Sequence, residues 1–108
     1  MFDVSRIEGF DWDGGNSRKS TEKHGVEPVE AEQVFQDTRI LIASDIKHSA
    51  LEPRFQALGR SFSGRYLHIA FTLRRDGTLI RIISARDMSR KERKIYEQET
   101  ETDPPLSQ

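Results

Sequence analysis

The sequence predicts an α+β domain: a small antiparallel sheet of four strands, with two helices before it and one after. Three observations carry this. Residues 54–86 contain three β-rich runs separated by turn signals, Ser63-Gly64 and the stronger Asp76-Gly77. Gly25 and Pro28 punctuate the first third as a helix stop and a helix start do. Ser89-Arg90-Lys91-Glu92 has the spacing of a capping box ahead of a final helix.

Met1–Glu8 reads as a lead-in, and Phe10-Asp11-Trp12 as a short strand or an anchored extended piece. Asp13 can cap a helix over Gly14–His24, weak on propensity because it opens on glycines. Lys23 and His24 suit its last turn, where cations meet the negative end of the helix dipole. Val29, Ala31, Val34 and Phe35 give a second helix from Pro28 to near Asp37. Arg39–Ala43 is a strand and Ser44–Pro53 a polar loop. Arg54–Phe62, Arg65–Leu73 and Thr78–Arg86 form a meander. A turn at Asp76-Gly77 sets Leu73 opposite Ile80, Phe71 opposite Ile82 and Ile69 opposite Ser84, which makes one apolar face. The other face carries Tyr66, His68, Thr72 and Arg81. The last helix spans about Arg90–Glu99.

The 108 residues suffice for one domain, taken as 1–99. The remaining 100–108 are acidic, hold Pro104-Pro105 and are expected to be disordered. With no cysteine there is no disulfide or thiolate metal site. Met1–Phe10 lacks the apolar stretch of a signal peptide, and no run approaches the ~20 apolar residues that span a bilayer. A cytoplasmic, non-membrane protein is expected.

Charge is strongly segregated. Residues 54–94 hold nine Arg and two Lys against three acids, whereas residues 1–53 carry a net −5 and 95–108 four acids and no base. Arginine stays charged and grips phosphate with a planar fork, so the segment points to a polyanion. The alternative is a solvated face, or arginines paired with acids of the first half. His24, His48 and His68 lack the spacing of metal ligands, and no metal or other cofactor is expected. Gly59–Arg65 has the look of a phosphate loop but joins two strands and lacks its lysine, so it reads as a hairpin. No serine sits in a nucleophile elbow.

Arginine, lysine and histidine suit one metal-free reaction, cleavage of RNA by its own 2′-hydroxyl. The protein then positions the phosphate, neutralises charge and moves protons. Arginine cannot be the base, whereas histidine can be base or acid. His24, beside Lys23 and before a glycine, is the first candidate; its rival role is to cap carbonyls. His68 can equally be a packing residue in mid-strand, and His48 an exposed loop residue. Arg81, between Ile80 and Ile82, is committed to one face. Arg86 can hold phosphate or pair with an acid, and Arg54 can do either, its acid being Glu52 or one of the second helix.

Phe10-Asp11-Trp12-Asp13, Asn16, Lys23-His24-Gly25-Val26, Ala31, Val34-Phe35, Asp37, Arg54-Phe55, Leu58-Gly59-Arg60-Ser61, Ile82-Ile83-Ser84-Ala85-Arg86, Arg93 and Tyr96-Glu97 together resemble the BrnT family, toxins of bacterial type II toxin–antitoxin systems. The resemblance covers about Phe10 to Glu97. It implies a RelE-like fold and a metal-independent endoribonuclease that inhibits translation. It also implies a BrnA-like antitoxin that neutralises the toxin as a hetero-oligomer and supplies the contact with operator DNA. Lys23, His24, Arg54, Arg81 and Arg86 are then the expected catalytic set, with Arg60, Tyr66, His68 and Arg90 on the RNA. Gly14-Gly15, Ser20-Thr21 and the acidic first half depart from the family pattern. The rival function is a non-catalytic module whose arginine face binds RNA or a partner, including a corepressor role with an antitoxin.

The tail composition generates a prediction. Deleting 102–108 should leave the melting temperature nearly unchanged, because that segment has too little apolar area to offset an ordering cost of ~1–2 kcal/mol per residue. A fall of many degrees in a thermal melt would show that it packs.

Overall fold

The computed structural model describes residues 3–49 and 51–101. It is an α+β fold with one five-stranded mixed sheet and three α-helices among the described residues. In chain order these are β1 (Gly9–Phe10), α1 (Lys19–His24), α2 (Pro28–Gln33), β2 (Leu41–Ser44), β3 (Arg54–Arg60), β4 (Tyr66–Arg74), β5 (Leu79–Asp87) and α3 (Arg90–Glu101). The sheet order is β1-β5-β4-β3-β2.

The expected four-stranded antiparallel sheet is corrected by β1. This two-residue strand runs parallel to β5, Gly9 beside Leu79 and Phe10 beside Ile80. Hydrogen bonds from Glu8 N to Thr78 O (2.7 Å) and from Asp11 N to Ile80 O (2.8 Å) extend it. Two residues are too few to show alternation, so the sequence could not distinguish a strand from an anchored segment.

The helices follow their punctuation. Gly25 ends α1 in the left-handed conformation (φ 65°), its N–H on Thr21 O, with Val26 N on Ser20 O. Pro28 opens α2, and a 3-10 turn over Val34–Gln36 completes the run to Asp37. Helix α1 is shorter than expected. Gly14-Gly15 favours a turn, and Asn16 is held elsewhere: its amide nitrogen donates to Asp11 O (3.1 Å) and Ile82 O (2.9 Å). Ser89 caps α3 as expected, its Oγ accepting from Glu92 N (3.1 Å), while Ser89 N donates to Glu92 Oε1 (2.9 Å). This helix extends to Glu101, so 100 and 101 leave the expected tail; 102–108 lie outside the described residues.

The meander keeps its predicted register near the turn: Leu73–Ile80, Thr72–Arg81 and Phe71–Ile82 pair. Asp76 and Gly77 adopt φ 55° and 83°, as that turn demands, and Arg75 joins them at 53°. Beyond Phe71 the register shifts by one, so Ile69 faces Ala85 instead of Ser84. The additional residue on β5 is Ile83, a β-bulge.

One sheet face is buried against α1, α2 and the turn after α2. Phe55, Ala57, Leu67, Ile69, Phe71, Ile80, Ile82 and Ala85 meet Val26, Ala31 and Val34 there. Phe10, Phe35, Phe71 and Phe55 form a chain of ring contacts at 5.7, 5.1 and 5.4 Å. Ser20 Oγ accepts a bond from Ala85 N (2.7 Å), fastening α1 to β5. Gly59 is required beneath the turn after α2, since a Cβ there would lie 2.7 Å from Val34 Cγ1. The opposite face carries polar residues, and α3 covers one end of it: Tyr96 packs edge-on to Tyr66 at 5.9 Å.

Phe71→Ala and Ile82→Ala should each cost about 2–5 kcal/mol in urea denaturation, since both side chains are almost fully buried. Wild-type midpoints for both would contradict this assignment of faces.

Candidate active site: a cleft on the open sheet face

The half of the polar face that α3 leaves open forms a cleft of about 410 Å³. Arg54 and Gln56 enter it from β3, His68 from β4 and Arg86 from β5; Lys19, Asp45, His48 and Glu92 close its sides. Strand pairing brings them together: Arg54 pairs with Thr72, Gln56 with Ala70, and His68 with Arg86.

His48 lies in a 3-10 turn over Ile46–His48 and meets the Asp45 carboxylate through Nδ1, at 2.9 and 3.1 Å. The carboxylate accepts, so Nδ1 carries a proton, and in the neutral ring Nε2 then keeps a lone pair. Desolvation pushes the Asp45 carboxyl up, but hydrogen bonds from Gln56 and His48 prevail and hold it below the usual range. His68 is buried, with Nε2 3.1 Å from Gln56 Oε1 and 4.0 Å from Glu92 Oε2. Burial, and then the positive charge of Arg86, press its pKa down against the pull of Glu92.

Arg86 pairs bidentately with Glu92 at 2.8 and 2.9 Å. That pair raises the pKa of Arg86 and, against burial, lowers that of Glu92 to about 2. The half-buried Arg54 guanidinium has no hydrogen-bond or ion-pair partner among the described residues. Glu52, its expected rival partner, pairs with Arg74 instead. Arg54 and the exposed Lys19 are therefore the cations best placed to meet an anion.

Of the expected catalytic residues, the structure brings Arg54 and Arg86 to the cleft, together with His68. It does not bring His24 or Lys23. Both are exposed at the far end of α1; His24 O accepts from Arg65 Nη2 (3.0 Å), and Lys23 lines a shallow groove with Gly14, Gly15, Arg18 and Lys19. Arg81 shares the polar face but forms a fork to Asp13, both bonds 3.1 Å, and an ion pair with Asp11 at 3.6 Å. This neutralises the charge that alternation committed to that face. Of the expected RNA contacts, Arg60 and Tyr66 lie beneath the other end of the sheet. There the Arg60 and Arg93 guanidinium carbons sit 4.6 and 3.9 Å from the Tyr66 ring centroid, so that ring is already engaged. Arg90 is exposed on α3 and lines no part of the cleft.

Sequence reading missed Lys19, Asp45 and Gln56, and took His48 only as an exposed loop residue. One signal was available: Asp45 and His48 are three apart, which places both side chains on one side of a 3-10 turn. No group of three His, Asp or Glu with metal-holding geometry occurs among the described residues. No helix among them is long and apolar enough to cross a membrane.

Fold and cleft define a class: a small α+β protein whose sheet carries histidines, arginines and a lysine around one opening, a set suited to a phosphodiester. The comparison with known families makes this specific. Residues 12–92 match the BrnT family, ribonuclease toxins of type II toxin–antitoxin systems, and the chain belongs to that family. No curated protein matches the chain.

The low pKa of Glu92 sets a stability limit. Its contribution is fully present above the unfolded carboxylate value, near 4.5, and is lost as pH falls through about 2. Glu92→Gln should lower stability at neutral pH and flatten its decline between those values, followed by urea denaturation at each pH. An acid limb identical to wild type would show that the pair with Arg86 does not form.

Proposed function

We propose that the chain is a metal-independent endoribonuclease toxin that cleaves RNA through the 2′-hydroxyl, with the chemistry in the cleft between Lys19, His48 and Arg54. One observation carries this reading: a histidine oriented by a carboxylate lines the same opening as an arginine whose guanidinium has no partner among the described residues. Arg54 and Arg86 hold the phosphate, and His48 Nε2 takes the 2′-hydroxyl proton. The 2′ oxygen attacks phosphorus, the bond to the 5′ oxygen breaks, and that oxygen takes a proton from Lys19 or water. This reading leaves His24 and Lys23 out of the catalytic set because neither lines this opening. The same reading includes a RelE-like fold, a cytoplasmic location, inhibition of translation, and neutralisation in a hetero-oligomer by a BrnA-like antitoxin, which alone contacts operator DNA.

A second reading has its own support. Arg81 and Arg86 are already paired with acids, which suits a module that binds RNA or a partner through Arg54 and Lys19 without cutting.

Purified protein incubated with labelled RNA in EDTA separates these. Wild type should cut and leave a 2′,3′-cyclic phosphate, and a 2′-deoxy linkage at the scissile position should resist. His48→Ala should lose ~10²–10⁴-fold in rate with RNA binding kept within a few-fold. Arg54→Ala should damage both. Binding without cleavage favours the second reading. Full activity in His48→Ala with loss in His24→Ala would return the proton transfer to α1.

A further inference from the structure

Arg86 enters the cleft already holding an anion. Its Nη1 and Nη2 each donate to one oxygen of Glu92, at 2.8 and 2.9 Å. A phosphodiester offers an arginine the same fork, two non-bridging oxygens that share one negative charge. The pair is not sealed from solvent: the side chains of Arg86 and Glu92 are 35% and 22% exposed, and both residues line the opening. Glu92 Oε2 lies 4.0 Å from His68 Nε2, so the anion on Arg86 also faces that ring. A second bond holds Glu92 from the helix side. At the third position of α3, its Oε1 also accepts from Ser89 N at 2.9 Å. This bond does not need Arg86, so the carboxylate stays tethered at the cleft when the fork opens.

Resting on the reading of this cleft as the RNA site, we propose that Glu92 occupies the seat of an RNA phosphate on Arg86 and sets the affinity for RNA by competing for it. RNA then binds by exchanging one carboxylate for one phosphate. This is how Arg86 is paired with an acid in the free protein and still holds phosphate in the complex. Exchange has two consequences. A phosphate taken by Arg86 is matched by a carboxylate set free, so this arginine adds little to the counterion release that makes binding salt-dependent. Arg54 and Lys19, which have no acidic partner among the described residues, carry that dependence at this opening. The displaced carboxylate, still tied to Ser89, also remains beside the phosphate as a like charge and holds affinity down. One side chain thus stabilises the free fold and weakens the complex.

The test titrates the full chain with a labelled 2′-deoxy oligonucleotide over a range of salt, so the readout does not depend on cleavage. Glu92→Gln loses the charge and keeps the capping box, since glutamine serves at that position. It should bind about tenfold more tightly than wild type, with a log–log salt slope steeper by roughly 0.7, one phosphate contact on a single strand. Glu92→Asp, one methylene too short to keep both the cap and the fork, should shift affinity the same way by less, and covers the case of a Gln variant that does not fold. Adding Glu92→Gln to Arg86→Gln should bring no such gain, because the seat itself is gone. Glu97→Gln removes the same charge from the same helix, where Glu97 pairs with Arg93 at 3.4 Å, and should change affinity less than about twofold. Unchanged or weaker binding by folded Glu92→Gln would overturn the exchange. An equal gain in the Arg86→Gln background, or in Glu97→Gln, would overturn it too, by showing a general effect of charge. Either result alongside RNA cleavage by wild type would leave the cleavage reading standing. A wild type that binds no oligonucleotide and cuts no RNA would overturn both.

Discussion

The bulge at Ile83 is the constraint on which the two faces of the sheet depend. In a regular strand, residues 81 and 86 point to opposite faces, because side chains alternate with period two. Unbroken alternation from Ile80 and Ile82 would send Arg86 into the core, where an unpaired charge is prohibitively costly. The additional residue shifts the register between Ala70 and Phe71, turns Ala85 inward and sets Arg86 beside His68 on the polar face. Burial on one side and the cleft on the other are thus two results of one insertion. Asn16 reinforces it, binding the Ile82 carbonyl immediately before the bulge.

Segregation of charge along the chain has a structural counterpart. Many basic residues of the 54–94 segment are matched by acids: Arg65 by Glu30 and Asp87, Arg74 by Glu52, Arg81 by Asp11 and Asp13, Arg86 by Glu92. Several of these acids come from the first half, so the net −5 there is the complement of the arginine segment. Exposed pairs of this kind contribute little to stability. Arg54 and Lys19, both at the cleft, have no acidic partner among the described residues, so their positive charge stays available at that opening.

Much of the fold was legible because its signals are local. Gly25, Pro28, the Asp76-Gly77 turn and the Ser89–Glu92 box each act within a few residues, and each appears as read. The bulge, the parallel pairing of β1 and the displacement of α1 by Asn16 depend on partners distant in sequence, so no local pattern announces them. The cleft divides in the same way. Arg54 and Arg86, singled out by strand position and residue type, line it. His24 was attractive for its neighbours Lys23 and Gly25, but the end of a helix does not reveal which way it faces. His48 reads as an exposed loop residue, and exposed it is, but a polar loop gives no orientation until the turn brings it back to Asp45.

The claim that the cleft is where RNA meets this protein can be tested directly by NMR mapping with a 2′-deoxy oligonucleotide, which should bind without being cut. Titration should perturb the side-chain signals of His48, His68, Arg54 and Arg86 together, with His24 and Lys23 hardly affected. Perturbation confined to His24, Lys23 and Arg65, with the cleft silent, would contradict it.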